Sequence, residues 1–392
     1  METLNELESK VEAKRVIIDI KGKDPGPTLV VTAGIHGNEP SGVLAARRLR
    51  MMLENIPIKG HLMVLGGNID ALAKGQRFSE VDLNRIWKED RIREIERGTF
   101  SPSNQDEAEQ LEIYQLIRDL LQKDDGPFFF VDLHSTSSDT IPFIVVNDSL
   151  KNRAFTEQYP LPLVLGIEEY LEGALLSYIN ELGYIAFGFE GGQHDDLVSV
   201  ENHLSFLLLT LVYAGMISKE DFDFDRCFNA LAKNTVNRQK FYEIFYQFKL
   251  KDEDQFVMTP GYVNFQHIEK GKKLATFNGK VIQADQDAMI FMPLYQDQGS
   301  EGFFAIREVS PRFLRLSRWL RLKRWDHLLT YLPGVQWQDK ERSTLRVNRR
   351  VARFFTKQIF HFFGYRARKF DQDHYLMKNR EYNSRVYPQI KI

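Results

Sequence analysis

Between residues 15 and 215, short β-branched or aromatic runs alternate with longer stretches whose apolar residues recur every three or four positions. The first pattern reads as buried strand, the second as one face of a helix. Thr28-Leu29-Val30-Val31-Thr32, Phe128-Phe129-Phe130-Val131 and Ile185-Ala186-Phe187 are the clearest strands. Helices are predicted at 42–53, 105–123, 150–158, 173–182 and 197–216, and residues 217–248 read as further helix. Such βα alternation implies a mostly parallel sheet covered on both faces. After 255 the pattern changes to short strands punctuated by glycine: 256–258, 261–265, 273–277, 280–283, 288–292 and 303–306. The expected fold is therefore α/β, with a mixed, mostly parallel sheet flanked by helices, followed by a small all-β domain. The boundaries drawn are 1–248, 249–310 and 311–392.

Charge separates the last of these segments. Residues 311–392 hold 20 Lys and Arg against 6 Asp and Glu, whereas the first 310 hold 32 against 48. The net charge of −2 for all 392 residues hides this division. Within the basic segment, Leu316, Trp319 and Leu320 share a helix side with arginines interspersed, and Val347, Val351, Phe354, Phe355, Ile359 and Phe362 have helical spacing. A basic helical extension is expected. Its three readings are packing on the acidic core or a sister subunit, contact with a membrane surface, and contact with nucleic acid.

Composition narrows the setting. Hydrophobic residues make up 43% and charged residues 27%, and no run approaches ~18 consecutive apolar residues, so a membrane protein is not indicated. A single cysteine, Cys227, excludes an internal disulfide framework, and the acidic first residues do not read as a secretory signal. A cytoplasmic location is the expectation.

The chemistry-bearing residues sit where strands end. His36 and Glu39 follow the run at 28–32, with Pro40 opening the next helix. An imidazole and a carboxylate three positions apart can grip one divalent metal; this donor set suits Zn²⁺ but needs a third protein ligand for an open catalytic site. His134 ends the run at 128–131, and Asp132, two residues earlier, points the same way on a strand and can support it. Glu190 ends a third strand, before Gly191 and Gly192, which would turn the backbone. A buried strand-end carboxylate needs a task, and taking a proton from metal-activated water is one. Arg77 and Arg85, with Asn84, supply guanidinium groups of the kind that bind carboxylates or stabilise an oxyanion. His194 is read as a surface residue, and His61, His203, His267, His327, His361 and His374 as ordinary surface or packing residues. Ser135 to Ser138 lack a nucleophile elbow and read as strand-end caps.

With GIHGNE at 34–39, DLNR at 82–85, DLHSTSS at 132–138 and FEGG at 189–192, the chain resembles the succinylglutamate desuccinylase and aspartoacylase family, which has a zinc carboxypeptidase-like fold. The resemblance covers roughly residues 15–310 and leaves the basic extension outside it. It implies one zinc ion per chain held by His36, Glu39 and His134, with Glu190 as general base. It further implies that Arg77 polarises the scissile carbonyl, that Asn84 and Arg85 hold a substrate carboxylate, and that Tyr295 contacts substrate from the β domain. The activity implied is hydrolysis of the amide bond of a small N-acyl amino acid, and a homo-oligomer is expected. The alternatives are a carboxypeptidase-type metallopeptidase and a non-catalytic scaffold anchored by the basic tail.

Overall fold

The computed structural model describes residues 14–385 apart from 234, 236–239, 252, 349, 351–356 and 370–372. The first half follows the predicted alternation. Strands β1 (Val16–Lys21), β2 (Asp24–Ala33) and β3 (Lys59–Gly66) surround α1 (Ser41–Leu53), and α2 (Ile69–Lys74), α3 (Glu89–Glu96) and α4 (Gln105–Lys123) lead to β4 (Phe128–Thr136). Next come β5 (Phe143–Val146), α5 (Leu150–Thr156), β6 (Leu163–Leu165), α6 (Leu175–Glu181), β7 (Ile185–Gln193), α7 (Leu197–Ala214) and α8 (Phe224–Lys233). Residues 217–248 are not all helix as expected. The aromatic-rich end becomes β8 (Phe241–Lys249), because it pairs with β6 on one side.

The later strands are β9 (Phe256–Met258), β10 (His267–Ile268), β11 (Lys273–Phe277), β12 (Lys280–Gln283), β13 (Ala288–Phe291) and β14 (Glu301–Val309). One eleven-stranded sheet runs β1-β3-β2-β4-β7-β5-β6-β8-β14-β13-β10. Its pairs among β2, β3, β4 and β7, and among β5, β6 and β8, are parallel. The added strands beyond β8 are antiparallel. The all-β region thus extends the main sheet while keeping its own core around Tyr262, Leu274, Ile290 and Phe303. A three-stranded sheet, β12-β11-β9, completes it. Residues 261–265, expected as a strand, form turn and loop.

Both faces of the sheet are buried, as parallel pairing requires. Leu29, Val31 and Phe129 face α1 and α7 in one core, whereas Val30, Phe128 and Phe130 face α4 in the other. This alternation of neighbouring residues between two cores is why the strands read as continuously apolar. Helix α7 is long and apolar enough to cross a membrane by length and composition, and here Phe206, Leu207, Leu209 and Leu211 are wholly buried.

The basic extension departs from its expected all-helical form. Helix α9 (Pro311–Leu322) is present, but Leu314, Ser317, Leu320 and Arg321 face inward while Phe313, Leu316 and Trp319 are exposed. Val347 lies on a strand, not a helix. Strands β15 (Val335–Trp337), β16 (Thr344–Asn348), β17 (Tyr365–Lys369) and β18 (His374–Asn379) pair antiparallel in the order β15-β16-β18-β17, with α10 (Lys357–Phe362) preceding β17. Their alternation buries Leu345, Val347, Tyr365 and Met377 in one small core, a tertiary partnership that local spacing does not reveal. Val351, Phe354 and Phe355 lie outside the described residues.

Arginines dock this extension onto acidic groups of the α/β core, as one of the three readings anticipates. Arg321 Nη2 reaches Asp148 Oδ2 at 2.8 Å, and Arg380 reaches Glu168 at 2.9 Å and Glu169 at 2.6 Å. Burial alone would raise the Asp148 carboxyl, but Arg153, Arg321 and Arg380 outweigh it and hold it well below the usual carboxylate range. A depressed folded-state pKa contributes stability that is present above the ordinary value near ~4 and is lost as pH falls below it. Asp148→Ala leaves Arg321, 1% exposed, without its main anion, and is expected to destabilise the chain by about 3 kcal/mol at neutral pH. Urea unfolding at a series of pH values checks this: the difference between wild type and variant should shrink as the pH falls below ~4.

Candidate active site

Parallel neighbours β2, β4 and β7 bring their carboxyl ends to one edge of the sheet. Ala33 is level with Leu133, and His134 with Glu190, so the segment after β2 and the ends of β4 and β7 converge. Gly34, at φ +73°, turns the chain out of β2, and Gly37 packs so closely on Ala71 that a Cβ would lie 2.1 Å from its carbonyl carbon. These two glycines let His36 and Glu39 fold back over the sheet edge. Pro40 stands just ahead of α1 as its N-cap residue.

The three expected ligands meet. Glu39 Oε1 is 2.8 Å from His36 Nδ1, and Oε2 is 3.0 Å from His134 Nδ1. One donor atom from each lies within 4.8 Å of the other two, so the buried trio can hold a metal ion. The backbone N–H of Ser135 also donates to Glu39 Oε2 at 3.1 Å. Burial would raise the Glu39 carboxyl, but the two imidazoles outweigh that and hold it well below its ordinary value. His134 Nε2 donates to Asp132 Oδ2 at 2.8 Å, the outer support expected from the i, i+2 spacing. Burial would lower His134, yet Asp132 and Glu39 raise it well above the usual imidazole value.

Glu190 is level with His134 and 5% exposed, and its Oε2 accepts no hydrogen bond among the described residues. Burial is the main reason its carboxyl is raised to about 8; Glu39 and Asp132 add to this, and His134 and Arg77 oppose it. The glycines after it do not end the strand. Strand β7 runs on to Gln193, and Gly191 is needed because a Cβ would sit 2.3 Å from the His203 ring. His203 is wholly buried, donating to a backbone carbonyl, and so is the packing residue expected.

The arginines enter from the segment between α2 and α3. Arg77 Nη1 is 3.6 Å from Glu39 Oε1, while its Nε and Nη2 donate to Asp82. Arg85 is not free for substrate alone: Glu301 at the start of β14 takes it at 3.1 Å. Asn84 Oδ1 accepts the N–H of Leu175, opening α6, and leaves the amide Nδ2 as its available donor. All three line one cavity of about 150 Å³ with His36, Glu39, His134 and Glu190.

Tyr295 is not brought to this cavity. Its hydroxyl donates to the Thr259 carbonyl at 2.8 Å, and its neighbours Leu294 and Gln296 line the site instead. The β region thereby roofs the cavity through the loop between β13 and β14. His194, read as a surface residue, is drawn in by Ser135 Oγ at 2.8 Å and Gln296 Oε1 at 3.1 Å. Burial lowers its pKa. Gln296 and Glu301 lie far along the chain from every motif, and no local signal marks them. Asp82 was visible as the acid of DLNR, and it lies 3.4 Å from His36 Nε2.

Fold and edge-of-sheet cluster define an α/β protein built around a candidate metal centre. Residues 25–211 match the family model described as "Succinylglutamate desuccinylase/Aspartoacylase catalytic domain". Succinylglutamate desuccinylase from Pseudomonas putida is 41% identical over 69 residues, 17% of this chain and 21% of the relative. That from Pseudomonas paraeruginosa is 36% identical over 73 residues, 18% and 22% respectively. The chain thus spans about a fifth of the length of these curated relatives. Among solved structures, succinylglutamate desuccinylase from Vibrio parahaemolyticus superposes with TM-score 0.53 at 18% identity, covering 76% of this chain and 86% of that one. The Rhodobacter sphaeroides succinylglutamate desuccinylase/aspartoacylase gives 0.54 at 16% identity, covering 74% and 88%. These likenesses show the fold.

Proposed function

We propose that the chain is a zinc-dependent hydrolase that cleaves the amide bond of a small N-acyl amino acid. The observation that carries this is Glu190, a buried carboxylate with an unpartnered oxygen beside the His36–Glu39–His134 cluster. The donor set fits zinc: two imidazoles turn Nδ1 inward, one carboxylate lies between them, and His134 has an outer acceptor in Asp132. When bound, zinc would make a water acidic enough to ionise near neutrality and would polarise the acyl carbonyl. Glu190, with Oε2 unpartnered, takes the water's proton and delivers it to the departing nitrogen. Arg77, held by Asp82 close to Glu39, offers donors to the oxyanion. Asn84 Nδ2 and the remaining N–H groups of Arg85 orient a substrate carboxylate, with Glu301 fixing the guanidinium plane.

The cavity of about 150 Å³, with Leu294 and Gln296 of the β13–β14 loop in its lining, is of a size that favours N-acyl amino acids over peptides. Elemental analysis followed by a panel of N-acetyl and N-succinyl amino acids, beside peptides with free carboxyl termini, tests the reading. About one zinc per chain and turnover of the small amides is the expected result. Faster cleavage of the peptides would favour the carboxypeptidase alternative, and metal-free, inactive protein would favour the scaffold alternative.

A further inference from the structure

The cavity does not stop at the arginines. It continues across the sheet to the carboxyl ends of β5 and β6, where Val145, Ile167, Leu171, Leu176 and Phe304 form apolar walls. Beyond β5 and β6 it turns polar again. Asn147, which follows β5, Glu168, which follows β6, and Ser177 on α6 line both this cavity and a second one beneath the C-terminal extension.

Glu168 is the unusual member. Its side chain is 1% exposed, and Oε1 accepts Arg380 Nε at 2.9 Å. Oε2 is buried and accepts no hydrogen bond among the described residues. An unpartnered buried carboxylate oxygen is costly, and native proteins rarely leave one without a purpose. Of the cavity's carboxylates only Glu190 is in the same condition, and it stands beside the metal cluster; Glu168 has no part in that chemistry.

We propose that Glu168 receives the terminal ammonium group of the substrate's side chain, so that the enzyme selects N-acyl diamino acids. This rests on the N-acyl amino acid reading above. Apolar walls between the arginines and Glu168 suit a methylene stem, and a carboxylate at its end suits a charged donor more than a neutral one. An acidic side chain would meet repulsion there. Arg380, from the extension, is the positioning residue. It also grips Glu169 at 2.6 Å and the Tyr365 carbonyl at 3.0 Å, which fixes Glu168 with Oε2 unpaired. The extension then serves specificity by holding in place a residue that lines a pocket in the core.

The zinc-loaded full chain is assayed with Nα-acetyl-lysine, Nα-acetyl-ornithine, N-acetyl-norleucine and N-acetyl-glutamate. Calorimetry with free lysine and norleucine runs in parallel. A preference of about tenfold or more in kcat/KM for the amines over norleucine is expected. Glu168→Gln should bring the ratio of kcat/KM values for the amines and norleucine close to parity, and Arg380→Gln should weaken the same preference through KM. If norleucine or glutamate derivatives are cleaved as well as the amines, the proposal is overturned and the N-acyl reading stands. If none is cleaved but lysine binds more tightly than norleucine in a Glu168-dependent way, the N-acyl reading fails and the ammonium subsite stands. Equal binding of lysine and norleucine overturns the subsite whatever the enzyme hydrolyses.

Discussion

Glu190→Gln will lower kcat by about 10³-fold, within the 10²–10⁴ range of general-base catalysis, while leaving zinc content unchanged. The substitution keeps shape and volume and removes only the ability to take a proton. Glu190 is outside the trio whose donor atoms lie within 4.8 Å of one another, so metal retention does not depend on it. The same variant should melt no lower than wild type, because Oε2 makes no hydrogen bond that the amide would lose. Most buried-residue changes destabilise, so loss of turnover with stability retained is the signature of a group held for chemistry. Near-normal turnover in Glu190→Gln would sink the assignment of the base.

Glu39→Gln will empty the metal site. Glu39 is the residue of the trio that hydrogen-bonds both others, at 2.8 Å to His36 and 3.0 Å to His134. An amide cannot supply the negative charge that a zinc ion and two imidazoles require. Asp132→Asn, which alters only the outer support of His134, sets the scale: it should weaken zinc binding by about ten- to a hundredfold. Glu39→Gln should weaken it by more than that, and turnover should fall with zinc occupancy. Competition with a chelator, read by elemental analysis, orders the two variants. Equal zinc affinity in Glu39→Gln and wild type would remove Glu39 from the ligand set.

Much of this was legible because the physics is local. The strand at 28–32 and the helix at 105–123 are written in apolar period and helix-forming composition, and Asp132 and His134 share a face by strand geometry alone. His36, Glu39, His134 and Glu190 were visible as polar residues placed where apolar strands end. The misreadings have one cause in common. Leu316 and Trp319 have helical spacing, yet the side of α9 that turns inward is chosen by Ser317 and Arg321, which bond to α10 and to Asp148. Val347 looked helical until β18 supplied a partner strand. Tyr295 stood in the right loop, but its hydroxyl was claimed by Thr259.

The sequence by itself determined the α/β class, the strand-end placement of the chemistry and the identity of the cluster, since each depends on neighbours a few residues apart. Only the tertiary structure decided that Glu301 shares Arg85, that His194 and Gln296 join the cavity, and that Arg380 reaches Glu168 across 212 positions. Those pairings are set by sheet order and by the docking of the extension, which no local spacing encodes.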